Sequence, residues 1–282
     1  MSGKDKKEKA PREYRGVIDE IRQQQMKMKD MSFKGKLAYF WDYYKIHTLV
    51  AVIVIIMSIT LIHDIVSSKD YNFYAVMLNC RVPSDNLEAV FSEYAQLDSE
   101  TYDCFIDTNS TLSYTNINEY DMATTQRLLA LVQTGDLDAV VFDSTTFKTY
   151  ALNSMFHNLR DIMSAEELSQ YEDRLYYIDY AQVIAEEEDD SVDMEEVNAR
   201  STATTEDIIA EAETHRHPET MEEPVPVGIF MADCPFVTQT GLYSDTAPIY
   251  GAVITSQRLE TALSYLSFLW EEKYDFLAIL TQ

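Results

Sequence analysis

Hydrophobic and polar positions divide the chain into three kinds of segment. The first is one long apolar run. From Ile46 to Ile62 the sequence reads IHTLVAVIVIIMSITLI, without a single Asp, Glu, Lys or Arg. Extended to Val66, it is interrupted only by His63 and Asp64 near its far end. At ~1.5 Å per helical residue this length spans roughly 30 Å, the thickness of a bilayer's hydrocarbon core. A buried core helix would have a similar composition, but the flank decides between them. Leu37 to Lys45, LAYFWDYYK, gathers aromatics and a lysine as helices do at the headgroup boundary. Residues 46–66 therefore read as a transmembrane helix.

The second kind is short apolar runs alternating with stretches of helical period. Phe73–Asn79 (FYAVMLN) reads as a buried strand. Ser84 is a candidate N-cap for a helix with Leu87, Val90, Phe91 and Tyr94 on one face. Tyr102–Asp107 (YDCFID) is a second strand, and Asn118–Thr134 a helix that Gly135 is placed to end. Leu137–Phe142 is a third strand with a helix from Ser144 onward. Asn158–Asp179 is tyrosine-rich and reads as partly helical, with a helix start at Ser164. Val225–Met231 and Ile249–Ile254 are further strands, and a last helix begins near Ser256 with Leu259, Ala262, Leu263, Leu266 and Leu269 in register. Strands alternating with helices of this length predict an α/β fold built on a parallel or mixed sheet.

The third kind is a run without clear period. Residues 186–224 hold 15 Asp or Glu against Arg200 and Arg216, with few large apolar side chains. Such a composition predicts an exposed, mobile acidic insertion. The expected organisation is a basic cytoplasmic segment over 1–45, the span over 46–66, and an extracytoplasmic α/β domain over 67–282.

Charge orients this arrangement. Residues 1–45 carry 12 basic against 7 acidic side chains, whereas 67–282 carry 10 against 40. Lys27, Lys29, Lys34, Lys36 and Lys45 precede the span closely, and only Lys69 and Arg81 follow it soon. Positive-inside bias places the N-terminus in the cytoplasm and the large domain outside. With no small-x-small site cleanly after the span, it is expected to stay as an uncleaved anchor. Tyr14–Met31 carries Val17, Ile18, Ile21 and Met28 at roughly helical spacing. It reads either as a basic amphipathic segment on anionic lipid or as a solvated lead-in to the anchor. So acidic a domain repels phosphate backbones, which argues against nucleic acid as a partner.

Candidate chemistry is sparse. The chain has 7 Gly and no Gly-x-Gly-x-x-Gly, Gly-Lys-Ser/Thr, His-Glu-x-x-His or Gly-x-Ser-x-Gly string, so neither a phosphate loop nor a hydrolase motif is present. His215 and His217 among glutamates could hold a divalent ion weakly, and the run EEEDDSVD lacks the spacing of a calcium loop. Both read more simply as solvated loop, and no metal or cofactor is expected. Cys80 and Cys104 fall on neighbouring strands, either disulfide-bonded or as two buried thiols. In open parallel sheets ligands meet the carboxyl ends of the strands. DAVVFDSTTF places Asp143, Ser144 and Thr145 at such an end, either to hold a ligand's polar atoms or to cap the following helix.

LVQTGDLDAVVFDSTTFKTYALNSMFHNLRDIM and the tail PVGIFMADCP with APIYGAVITSQRLETALSYLSFLWE together resemble bacterial extracytoplasmic solute-binding proteins of the type 2 periplasmic-binding fold. The likeness is to a short, membrane-anchored form with a juxtamembrane aromatic segment. It covers about 71–180 and 225–270. An apolar helix stands where a lipobox would be, and the chain left outside the insertion is short for two full lobes. The resemblance implies a non-catalytic protein binding a small solute or peptide. Asn79, Asp143, Ser144, Thr145 and Asp233, near strand ends, are the candidate ligand contacts. The alternative is an interaction or scaffold module meeting another envelope protein. Lipid around the anchor is the remaining expected partner.

Overall fold

The structure, a computed structural model, describes residues 22, 23, 26, 32–67, 70–113, 118–183, 204–243 and 246–281. Nearly all of the 14–31 segment and the run EEEDDSVD lie outside the described residues. The chain divides into two compact units, Met1–Ser68 and Lys69–Gln282.

In the first unit, α1 runs Phe33–Ser67. Within it Tyr44–His63 is long and apolar enough to cross a membrane, and none of that stretch is buried in the protein. A core helix would hide its apolar side chains, so exposed Leu49, Val50, Ile53 and Ile56 separate the two explanations. Two hydroxyls in the apolar stretch bond back to their own helix, Ser58 Oγ to Val54 O (2.8 Å) and Thr60 Oγ1 to Met57 O (2.9 Å). Neither of these two donors is left without an acceptor.

The second unit is built on β1 (Tyr71–Met77), α2 (Asp85–Tyr94), β2 (Asp103–Asp107), α3 (Glu119–Thr134), β3 (Ala139–Asp143) and α4 (Ser144–Leu152). Short helices α5 (Leu159–Ile162) and α6 (Ala165–Ser169) lead to β4 (Leu175–Asp179). Then come α7 (Thr205–Thr214), β5 (Pro224–Phe230), α8 (Pro235–Thr240), β6 (Pro248–Ala252), α9 (Leu259–Leu269) and α10 (Phe276–Thr281). All six strands form one sheet in the order β2-β1-β3-β6-β5-β4. β1 pairs parallel with β2 and β3; β6 is antiparallel to β3 and β5, and β4 antiparallel to β5. The fold is thus α/β with a mixed sheet, parallel in its first three strands.

Both faces of the sheet are covered, which is why its strands read as unbroken apolar runs. Phe73, Ala75 and Met77 point into a core shared with Leu87, Phe91, Tyr265 and Phe268. Tyr74, Val76 and Leu78 point into a second core with Leu128, Phe142, Phe147 and Tyr176. α2 and α3 serve opposite cores, as a constant crossover hand requires when the strand order reverses direction at β1. On the second face Phe147 and Phe156 stack at 4.3 Å, directly over Gly228 and Gly251. A Cβ on Gly251 would come within 2.8 Å of both rings.

Three local expectations change. Ser84 occupies the N-cap position of α2 but its side chain makes no cap bond; its hydroxyl donates to Glu88 Oε1 (2.9 Å). Asn158–Asp179 contains a strand, β4, besides its helical turns. Part of the stretch expected to be exposed and aperiodic is α7, whose Ala212 is only 2% exposed and whose Lys148–Glu211 ion pair (2.6 Å) ties it to α4. Residues 184–203 lie outside the described residues.

Candidate functional site

The strand order reverses between β1 and β3, so their carboxyl ends are where a crevice opens in this kind of sheet. Asn79 and Asp143 meet there. Asn79 ends the turn after β1 with φ 65°, in the left-handed region that asparagine tolerates better than most side chains. Its amide is spent largely on the neighbouring loop: Nδ2 donates to Leu112 O (3.2 Å) and Oδ1 accepts from Leu112 N (3.0 Å). A longer contact, 3.4 Å, joins Nδ2 to Asp143 Oδ2. The backbone does the same lacing, Asn79 N to Ser110 O (3.0 Å) and Arg81 N to Thr108 O (2.7 Å). The loops after β1 and β2 thus continue the sheet past its end.

Asp143 is the N-cap of α4. Its Oδ1 accepts from Thr146 N (3.0 Å) and its Oδ2 from Thr146 Oγ1 (2.9 Å). Ser144 follows at 4% exposure, and its hydroxyl has no partner among the described residues. Thr246 Oγ1, just ahead of the β6 residue that pairs with Asp143, is likewise buried and unpartnered. Thr145 is half-buried beside them.

Asp233 is at the same end of the sheet but follows β5, two strands from β3, about 10 Å away at normal strand spacing. It is held elsewhere: Arg174 Nη2 and Nε donate to its Oδ2 at 2.6 and 2.8 Å, and the guanidinium lies 5.0 Å over the Trp270 ring. The structure therefore brings Asn79, Asp143, Ser144 and Thr145 together and sets Asp233 apart.

Tyr243 is a residue the sequence did not single out. It sits at φ 61° in a turn closed by Thr246 N to Tyr243 O (3.1 Å). Its hydroxyl lies 2.7 Å from Leu78 O, just past β1, and 3.0 Å from Val141 O, the middle residue of β3 at which its ladder with β1 ends. The point where the strand order reverses is filled from within by this phenol. Burial, chiefly, and then the neighbouring Cys80 push its pKa well above the ordinary value, so it stays a donor. Arg127 is a second such residue. Beyond β2 it donates to Asp107 Oδ2 (2.7 Å) and Ser110 Oγ (3.2 Å) and also bonds Tyr74 OH.

The cysteines carry no reactive thiolate. Burial pushes Cys80, Cys104 and Cys234 each up to about 12, and all three are free. Cys104 pairs with Phe73 at one end of β1 while Cys80 lies beyond the other end, roughly 20 Å along the strand, too far for a disulfide. Among the described residues no three His, Cys, Asp or Glu are grouped to hold a metal ion. His215 is turned inward, its Nδ1 2.8 Å from Tyr177 O, and His217 pairs with Glu219 (3.0 Å). An open groove of about 530 Å³ runs along α2 and the start of β2, lined by Asp85, Glu88, Glu93, Tyr102, Asp103 and Cys104. None of the five candidate residues borders it. No family model and no curated protein matches the chain.

Proposed function

We propose that residues 69–282 form a non-catalytic interaction module of the cell envelope, held at the membrane by α1 and facing away from the cytoplasm. The observation that carries this reading is the closed end of the sheet. Tyr243 takes up the Leu78 and Val141 carbonyls where the β1–β3 ladder ends, and Asn79 and Asp143 bond each other and their own loops. The side chains of Tyr243, Asn79 and Asp143, which a small solute would use, are engaged internally. The apolar stretch of α1 and the lysines before it support the membrane placement and a cytoplasmic N-terminus. The periplasmic-binding-like sequence pattern supports an extracytoplasmic setting for the frame.

Solute binding remains the second reading, favoured by one observation. Ser144 Oγ and Thr246 Oγ1 are buried hydroxyls without partners among the described residues at the same end of the sheet, and unpaired buried polar atoms are rare in native proteins. A solute displacing Tyr243 would bond them. Two measurements on the full-length chain separate the readings. A ligand at 100 times its Kd stabilises the native state by about 2.7 kcal/mol. The module reading expects no such thermal shift in detergent with amino acids, sugars or short peptides, and a discrete protein partner on crosslinking in intact cells. A shift with any one of these, lost in Ser144→Ala, replaces the module by a solute-binding protein.

A further inference from the structure

The sheet has two edges, β4 and β2, and an edge offers unpaired N–H and C=O groups to any strand that can reach it. The chain fills the first from within: Tyr177 N donates to His215 O (2.8 Å), and Tyr177 O lies 2.8 Å from His215 Nδ1. The β2 edge is treated differently. Asp103 N donates to Asp70 O on the β1 side (3.0 Å), and main-chain groups alternate in direction along a strand, so Cys104 and Ile106 turn theirs outward. Ile106 N–H bears this out, because it donates to a side chain, Glu88 Oε1 (2.9 Å). The same oxygen accepts from the Ser84 hydroxyl. Cys104 N–H and C=O and Ile106 C=O have no partner among the described residues.

The open groove of about 530 Å³ lies beside this edge. Its other wall is one flank of α2, where Asp85, Glu88 and Ser92 follow one another at helical spacing. Glu93 and Asp103 line it too, and no Lys, Arg or His does. Burial, chiefly, pushes the Glu88 pKa above the ordinary value, and Asp85 and Asp103 push the same way against the pull of its two hydrogen bonds. A cation in the groove would oppose both pushes.

We propose that the β2 edge docks an extended, basic segment of an envelope partner, main chain on Cys104 and Ile106 and Lys or Arg side chains in the groove. Strand addition requires a carbonyl at Ile106 N–H, the place Glu88 holds in the free protein. An incoming carbonyl that takes over this N–H frees the carboxylate to pair with a basic side chain. Side chains of an added strand point alternately to the two faces of the sheet, so every second one enters the groove on the α2 side. A second copy of this chain is the poorer occupant, because it would set these carboxylates against their own kind. The docking rests on the interaction reading, but peptide binding and crosslinking in cells are separate measurements, so either can fail alone.

Titration of the full-length chain in detergent with end-blocked hexapeptides tests the docking. The probes are alternating Lys-Val, alternating Glu-Val, and a fully N-methylated Lys-Val that keeps the charges but has no main-chain N–H to donate. The plain Lys-Val peptide is expected to bind saturably and, at ten times its Kd, to slow hydrogen exchange at Cys104 N–H about tenfold, with Val76 in β1 unchanged. The other two should not bind. Glu88→Gln keeps an acceptor for Ile106 N–H but loses the charge, so binding should weaken about fivefold, the worth of one such ion pair. Cys104→Pro removes the outward N–H without touching the β1 ladder and should abolish binding; should it fold poorly, Glu88→Gln decides. No binding of Lys-Val, equal binding of its N-methylated form, or unaltered binding in Glu88→Gln overturns the proposal. So does a dimer in which Cys104 N–H is already protected without peptide, which makes a second copy the occupant. A partner crosslinked in cells while Lys-Val fails to bind overturns this edge alone and leaves the module reading standing.

Discussion

Two aspartates bracket β3, five residues apart, and the chain uses them in opposite ways. Asp138, just before the strand, is fully buried and accepts from Arg258 Nε (2.9 and 3.1 Å), Ser256 Oγ (2.6 Å) and Tyr74 N (2.8 Å). Arg258 reaches on to Tyr71 O (2.9 Å) and Asp136 O (2.6 Å), tying the start of β1, the lead into β3 and the lead into α9 at one point. Asp143, the last residue of the strand, is only half-buried and bonds Thr146 and Asn79, all neutral. One end of the sheet is fixed by charge out of water; the other is closed by a helix cap and a phenol. Polar residues at a strand end can be structure or site, and burial with an opposite charge marks the first.

The sharpest way to break this contrast is to remove Arg258. Arg258→Met leaves the Asp138 carboxylate buried without its counter-charge, and breaking a buried pair from one side costs about 3–5 kcal/mol. Chemical denaturation at pH 7 should show a loss of that size. Burial already pushes the Asp138 pKa up, and Arg258 is among the groups that pull it back. Without Arg258 the folded-state pKa rises further, so the variant's deficit should shrink as pH falls and the folded chain takes up the proton. A loss under 1 kcal/mol would make the clasp incidental.

Next in size is the seat of α4, the helix that Asp143 caps. Phe147 holds α4 to the sheet by lying against Gly228 and Gly251, where no side chain intervenes. In Gly251→Ala the new Cβ would meet Phe147 and Phe156 at 2.8 Å, and overpacking of this kind costs about 1–3 kcal/mol. Thermal unfolding should register that loss, and near-ultraviolet circular dichroism should report the displaced rings. If packing rather than the cap secures α4, this change outweighs any substitution at Asp143.

Much of this was legible in the chain. Five strands announced themselves as apolar runs because both faces of the sheet are covered, and Gly135 ends α3 in the left-handed conformation (φ 73°) its position predicted. β4 was hidden because LYYID sits among helical turns and takes its identity from pairing with β5, some 45 residues later. α7 was hidden because its buried face amounts to Ala212 in a strongly acidic stretch. At the site, strand-end logic found Asn79, Asp143, Ser144 and Thr145, all local to two turns. It also picked Asp233, at the right end of the sheet but two strands off, since order within the sheet is a non-local property. Tyr243 could not be found this way: it touches Leu78 from 165 residues away in sequence. Asp138 was passed over because it read as part of the strand Leu137–Phe142, and nothing local to it reveals Arg258.

The smallest expected effect is at Asp143, and it separates capping from any other use of that carboxylate. Asparagine caps helices as well as aspartate does, so Asp143→Asn should keep the bond to Thr146 N and change stability by no more than about 0.5 kcal/mol. Asp143→Ala loses the cap and the Thr146 hydroxyl contact together and should cost about 1 kcal/mol. Both are read by denaturant midpoint at constant slope. If the cap is all Asp143 provides, crosslinking to a partner should be untouched in Asp143→Asn. If that partner is lost while stability holds, the negative charge itself is what it contacts, and this end of the sheet becomes the surface it meets.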